Sequence, residues 1–391
     1  MGFRLVLPIL PYREPKIINS CSRLPQVFEK EKLKSVLIVT DKGIVNNGLT
    51  KPLEKVLSEK SITYAVYDGT QPNPTVENVE DALALYKQKH CDGLIAIGGG
   101  SSMDCAKALG ARLAYPGRSV EQMKGILKVM RKLPTLIAIP TTAGTGSEVT
   151  LAAVISDPQK HHKYALMSFP LIPHYAVLDA EMTYSLPPHL TATTGMDALT
   201  HAVEAYIGRS TTRETRKLAL EATTLVFKNI KSAYNNPMDK KARDNMLHAA
   251  YKAGIAFSKS YVGYIHAVAH SLGGQYGIPH GLANAVVMPY VLKTYGKSAH
   301  KKLHELGIAA GVSTEADSDA AGAKKFIDAI EEYNESMGIP SKISGIRKQD
   351  VPMMAHHAEK EANPLYPVPK LMTERELEVF YGQIAEGGLA V

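Results

Sequence analysis

The chain has 391 residues, of which 45% are hydrophobic and 21% charged; this excludes a disordered or low-complexity polypeptide and allows two domains with sizeable cores. The net charge is +7, but the basic residues are interspersed with acidic ones and accompany no nucleic-acid motif, so no nucleic-acid partner is expected. Cys21, Cys91 and Cys105 cannot form a disulfide framework, which points to a cytoplasmic protein, and no uncharged apolar stretch approaches the roughly 20 residues of a membrane span.

The opening MGFRLVLPILPYREP is too short and too Pro-interrupted for a signal peptide and reads as a first strand near Leu5–Ile9. Short β-branched runs follow at 35–40 (SVLIVT), 63–68 (TYAVYD), 93–97 (GLIAI), 135–139 (TLIAI) and 175–179 (YAVLD). Helix-period segments separate them, such as 76–89 with Val76, Val79, Ala82, Leu83 and Tyr86 on one face. The alternation predicts a Rossmann-like α/β domain with a parallel sheet covered on both faces, over residues 1–188. After Pro187-Pro188 the alternation stops. Amphipathic segments at 190–207, 212–234, 240–257, 321–336 and 373–386 predict an all-helical bundle over 189–391.

Two loops of the first domain suit a nucleotide. Gly98-Gly99-Gly100-Ser101-Ser102 links a strand to a helix expected at 103–114. Glycines there let a backbone approach a ligand, and a helix N-terminus offers N–H groups to a pyrophosphate. The segment 140–148 (PTTAGTGSE) places hydroxyls at the carboxyl end of the next strand, the edge where open α/β sheets bind ligands. Asp41, directly after SVLIVT, suits either a ribose diol or a helix N-cap. Asn73 and Lys163 are further polar candidates.

The second domain carries donors for a transition metal. Asp197 and His201 are four apart and share a helix face, as do His266 and His270, and His280 follows a Gly/Pro-marked helix start. One carboxylate with two or three imidazoles suits Fe²⁺ or Zn²⁺ and not Mg²⁺ or Ca²⁺. His161, His162, His174, His189, His248, His300, His304, His356 and His357 are set aside for want of partners. HExxH and GxSxG are absent, which argues against hydrolases.

GGGSSMDCAK, PTTAGTGSE, GMDALTHAVEAY and HAVAHSLGGQYGIPHGLANAV resemble the signatures of the iron-containing (group III) alcohol dehydrogenases, and the resemblance runs through nearly the whole chain. It implies a dehydroquinate synthase-like fold with NAD(P) in the cleft and a dimer or larger homo-oligomer. It also implies a metal on Asp197, His201, His266 and His280, with His270 beside the metal but not a ligand. Asp41, Asn73, Gly98, Gly99, Gly100, Ser101, Thr141, Thr142, Thr145 and Lys163 match cofactor-contact positions. The chain departs from the family at 257–263, where many members carry small residues at the Ser260 and Tyr261 positions, and at 362–367.

The expected function is hydride transfer between a short primary alcohol, or its aldehyde, and NAD rather than NADP, with Fe²⁺ or alternatively Zn²⁺. Asp41 would repel a 2′-phosphate, and His270 would relay a proton. Phe257 and Tyr261, four apart, would share a helix face and narrow an apolar pocket. The alternatives are a glycerol or hydroxy-acid dehydrogenase, a dehydroquinate synthase-like lyase, and a metal- or nucleotide-binding scaffold.

Overall fold

The structure, a computed structural model, describes residues 12–157 and 162–388; the strand expected near Leu5–Ile9 lies outside them. The chain divides into two compact units between Leu186 and Pro187.

The first unit runs β1 (Lys16–Ile18), α1 (Leu24–Glu31), β2 (Ser35–Val39), α2 (Lys42–Asn46), α3 (Lys51–Glu59), β3 (Thr63–Tyr67), α4 (Val76–Gln88), β4 (Gly93–Gly98), α5 (Gly100–Ala114), β5 (Gly125–Ile126), β6 (Thr135–Pro140), β7 (Ala152–Asp157), β8 (His162–Met167) and β9 (Tyr175–Val177). Six strands form a wholly parallel sheet in the order β1-β9-β6-β4-β2-β3. Its centre is β4, with β2 and β6 in register on either side. Leu37, Ile38, Leu94, Ile95, Leu136 and Ile137 are all buried there, as unbroken apolar strands require when both faces are covered. From β2 the chain proceeds outward to β3, and from β4 it proceeds the other way to β6. The topological switch point therefore lies between the carboxyl ends of β2 and β4, where Asp41 and Gly98 sit. A smaller sheet, β5-β8-β7, pairs β7 and β8 antiparallel.

The second unit is helical among its described residues: α6 (Pro188–Ile207), α7 (Arg213–Asn235), α8 (Lys240–Ser260), α9 (Tyr264–Tyr276), α10 (His280–Tyr295), α11 (His300–Ala310), α12 (Asp319–Ser336), α13 (Val351–Ala362) and α14 (Glu374–Ile384). Pro188 opens α6, where a missing N–H costs nothing. Thr212 and Thr373 begin α7 and α14 with reciprocal capping boxes. Every residue of α6 from Gly195 to Ile207 is buried, so this helix is the axis of the unit. Gly195 makes that possible, since a Cβ there would come 2.6 Å from Ile230 of α7 and 2.9 Å from Met246 of α8. No helix among the described residues is long and apolar enough to cross a membrane.

Candidate functional site

In the helical unit, α6 presents Asp197 and His201 on one face, as their spacing predicts. His266 comes from the first turn of α9, and His280 is the first residue of α10. One donor atom from each lies within 4.8 Å of all the others. Asp197, His201 and His266 are buried, and His280 is partly open to solvent.

Asn284, one turn after His280 and fully buried, points its amide nitrogen into this group. It lies 2.7 Å from Asp197 Oδ1, 3.1 Å from His280 Nε2 and 3.3 Å from His266 Nε2. Three polar atoms thus converge on a nitrogen that carries only two hydrogens, so the amide does not serve all three. A divalent cation of the nitrogen-and-oxygen type accepts all of them at once, and by this measure the donor set fits Fe²⁺ or Zn²⁺. Burial works to raise the Asp197 carboxyl, but His201, His280, His266 and the Asn284 amide outweigh it and hold Asp197 below its ordinary value. Burial, together with His201, pushes the His266 imidazole well below its usual range, so the ring is neutral and carries a lone pair.

Around these four stand residues that the sequence reading did not single out. Glu204, one turn past His201, lies 2.6 Å from His266 Nδ1. Glu361 of α13 lies 2.8 Å from His270 Nδ1 and accepts the Tyr366 hydroxyl at 2.7 Å. The His270 ring stacks on His280 at 5.3 Å. The helix-face rule that linked Asp197 to His201 would also have reached Glu204 and Asn284. Nothing local could have found Glu361, which is 91 residues from its partner.

Phe257 stacks flat on His201, with ring centroids 4.1 Å apart, and so adjoins the donors. Tyr261 corrects the expectation of a shared helix face. α8 ends at Ser260, and Tyr261 is its C-cap at φ 67°, ψ 176°, so the two rings do not follow helical spacing. Four histidines set aside as unpartnered do have partners: His174 with the Leu136 N–H, His304 with Asp319 and Thr314, His248 with Asp244, and His356 with Glu374. His356, Glu359 and Glu374 form a second, exposed grouping of donor atoms.

In the α/β unit the expected nucleotide residues gather at the switch point. Asp41 caps α2, with Oδ1 accepting the Ile44 N–H at 3.0 Å, and its Oδ2 faces Gly98. The helix after β4 begins at Gly100, earlier than the expected residue 103, so Gly99 is its N-cap. The loop after β6 packs directly against this turn. Thr141 N–H donates to Gly98 O at 3.0 Å, and a Cβ on Gly100 would meet the Thr145 side chain at 3.1 Å. Lys163 Nζ donates to Asn73 Oδ1 at 2.7 Å, and Asn73 N–H donates to Ser101 Oγ at 3.3 Å. Beneath them the fully buried Lys107 ammonium lies within hydrogen-bond reach of Ser147 Oγ, the Thr150 hydroxyl and carbonyl and Ala152 O, and so locks the loop onto α5. Sequence reading had assigned Lys107 no role; its partners lie 40 or more residues away.

The iron-containing alcohol dehydrogenase family profile matches residues 17–180, and the C-terminal profile of the Fe-containing alcohol dehydrogenase family matches residues 191–384. The chain is 42% identical over 342 residues to alcohol dehydrogenase 4 of Schizosaccharomyces pombe, covering 85% of this chain and 79% of that protein. A solved 1,3-propanediol oxidoreductase superposes with a TM-score of 0.91 at 34% identity, covering 95% of this chain and 99% of that one. The sulfoacetaldehyde reductase of Bifidobacterium kashiwanohense, solved in complex with NAD⁺, superposes with a TM-score of 0.84 at 27% identity, covering 95% and 98%.

Proposed function

The chain belongs to the iron-containing alcohol dehydrogenase family, and from that premise we propose that it interconverts a short primary alcohol and its aldehyde with NAD, using a divalent metal held by Asp197, His201, His266 and His280. The observation that carries this reading is the convergence of a buried carboxylate and three imidazoles on one point, with more polar atoms facing the Asn284 amide nitrogen than its two hydrogens can serve. Ferrous iron is the first choice, and zinc fits the same donors. When bound, the ion supplies Lewis acidity toward the alcohol oxygen and the nicotinamide supplies hydride acceptance.

The chain's own residues do the rest. Phe257 covers His201 with an apolar ring and keeps water from that side of the donors. Tyr261 restricts the substrate's width. His270, backed by Glu361 and 40% exposed, carries a proton between the site and solvent. In the α/β unit the N–H groups at the start of α5 take the pyrophosphate, and the hydroxyls of Thr141, Thr142 and Thr145 and the Asn73–Lys163 pair line its loops. Asp41 at the switch point suits an unphosphorylated ribose, which favours NAD over NADP. Three buried free thiols favour a cytoplasmic setting, and a homo-oligomer follows from the family likeness; light scattering tests the latter.

The test is an alcohol and aldehyde panel followed at 340 nm with NAD and NADP, after loading with Fe²⁺ or Zn²⁺. Replacing His201 or His280 with Ala should lower turnover roughly a thousandfold or more, because Lewis-acid catalysis contributes several kcal/mol. NADH binding, read by fluorescence, should not change. Full activity in metal-free protein would refute the assignment.

A further inference from the structure

Glu204 is fully buried on α6, one turn beyond His201, and three groups converge on its carboxylate. Oε2 accepts the Gly263 N–H at 2.7 Å, Oε1 accepts the Ile265 N–H at 2.8 Å, and Oε2 lies 2.6 Å from His266 Nδ1. Residue 263 is small where the carboxylate seats itself, since a Cβ there would come 2.8 Å from Oε1. A helix start can be capped far more cheaply by its own N-cap side chain, as Thr212 and Thr373 do for α7 and α14. α9 instead begins at a glycine without a side chain. Its cap comes from a neighbouring helix as a buried carboxylate, costly to desolvate, that also reaches the ring of a metal ligand.

We propose that Glu204 is a positioning residue of the metal centre: it holds His266 as the Nδ1–H tautomer, so that the Nε2 lone pair is presented to the ion. A neutral imidazole has one ring proton, and a carboxylate acceptor at Nδ1 keeps it there. The opposite nitrogen is the one facing the donor group, with His266 Nε2 3.3 Å from the Asn284 amide that also meets Asp197 and His280. The same carboxylate ties the ring to the start of α9 through residues 263 and 265, so tautomer and ring position are fixed together. Acting through His266, Glu204 touches neither substrate nor cofactor. The inference rests on the reading of Asp197, His201, His266 and His280 as ligands.

Glu204→Leu removes the acceptor at Nδ1, so that nothing there holds the imidazole proton away from Nε2, the ligating atom. Glu204→Gln is the conservative control: its one amide oxygen can face Nδ1 and the Gly263 N–H together at the expense of the Ile265 N–H, so it keeps the partner at Nδ1 and should bind the ion more tightly than the Leu variant. Zn²⁺ affinity of the metal-free protein is measured by competition with a chromophoric chelator, beside NADH fluorescence and the melting temperature. Loss of such a partner should weaken Zn²⁺ binding by about 10–100-fold, with NADH affinity unchanged. A wild-type chain that binds Zn²⁺ and a Leu variant that binds it equally well overturn this proposal alone. A wild-type chain that takes no Zn²⁺ overturns the ligand reading and this proposal with it. Should the Leu variant fail to fold, ¹⁵N-histidine NMR of metal-free wild-type protein decides: a proton on Nδ1 of His266 upholds the proposal and a proton on Nε2 overturns it.

Discussion

Tyr261 occupies a backbone region, φ 67° and ψ 176°, that residues with a Cβ almost never adopt. Such a conformation costs about 1–3 kcal/mol, and glycine escapes it. The strain falls four residues after Phe257, which lies on the proposed ligand His201, and five before the proposed ligand His266. This is where a substrate-limiting ring would be kept in spite of its backbone. Tyr261→Gly and Tyr261→Ala separate the two contributions. Both remove the ring, but only Gly also relieves the strain. Thermal or denaturant melts should place the Gly variant about 1–2 kcal/mol above the Ala variant. In both, kcat/KM for branched aldehydes should rise relative to short ones, at unchanged metal content. A specificity ratio that stays flat in both would make Tyr261 a packing residue. This position also marks where sequence reading failed at the scale of single residues. Asp197 and His201 were legible because their helix continues past both. The same four-residue spacing misled at 257 and 261, because α8 stops at Ser260 and the left-handed step that follows contradicts the local preference of tyrosine.

Among the elements, the central strands were legible from their apolar runs, and β2, β3, β4 and β6 stand within a residue of the expected spans. The hairpin of β7 and β8 was not. Its strands alternate buried and half-buried positions and end in Asp157, His162 and Lys163, so no continuous apolar run announces them. Lys163 is a polar candidate in the sequence and matches a cofactor-contact position by likeness, but only the hairpin explains how it reaches Asn73, 90 residues earlier. The three-residue β1 was also missed, because it depends on pairing with β9. Just before β9, His174 ties that strand to β6 twice. Its N–H donates to Leu136 O at 2.8 Å, and the Leu136 N–H donates to His174 Nδ1 at 3.1 Å. The second bond needs an unprotonated ring. Burial, and then the charge of Arg13, lower His174 to about 4 from an ordinary value of 6.5. Between those two values the unfolded chain binds a proton that the folded one refuses, so this contribution is present above pH 6.5 and lost as the pH falls toward 4. The loss is on the order of 2 kcal/mol, allowing for partial solvent screening. Urea melts at pH 7, 6, 5 and 4 should show it. His174→Gln, which keeps an acceptor without an ionisable ring, should flatten that segment of the profile; an unchanged slope would remove His174 as its source.

At the scale of the whole molecule, the two sets of residues never share a unit. The proposed metal ligands run from Asp197 to His280, and the proposed nucleotide residues run from Asp41 to Lys163. A ligand that binds only the folded form stabilises it by RT ln(1 + [L]/Kd), about 4 kcal/mol at a thousandfold excess over Kd. That free energy is felt first by the elements whose side chains make the contacts, because they must open for the ligand to leave. Hydrogen exchange resolves this element by element. Removing the metal with a chelator should speed exchange in α6, in the first turn of α9 and in α10, whose start depends on His280. It should leave β4 and the first turn of α5 as they were. NADH added to the chelated protein should slow exchange at 41–46, at 98–102 and in the loop 141–147, without restoring α9. The asymmetry follows from where the donors sit in the chain and does not depend on the identity of the alcohol. If chelation loosens 93–114 as much as 264–276, the metal is not held by the helical unit alone, and the quartet at Asp197, His201, His266 and His280 is an incomplete account of its binding.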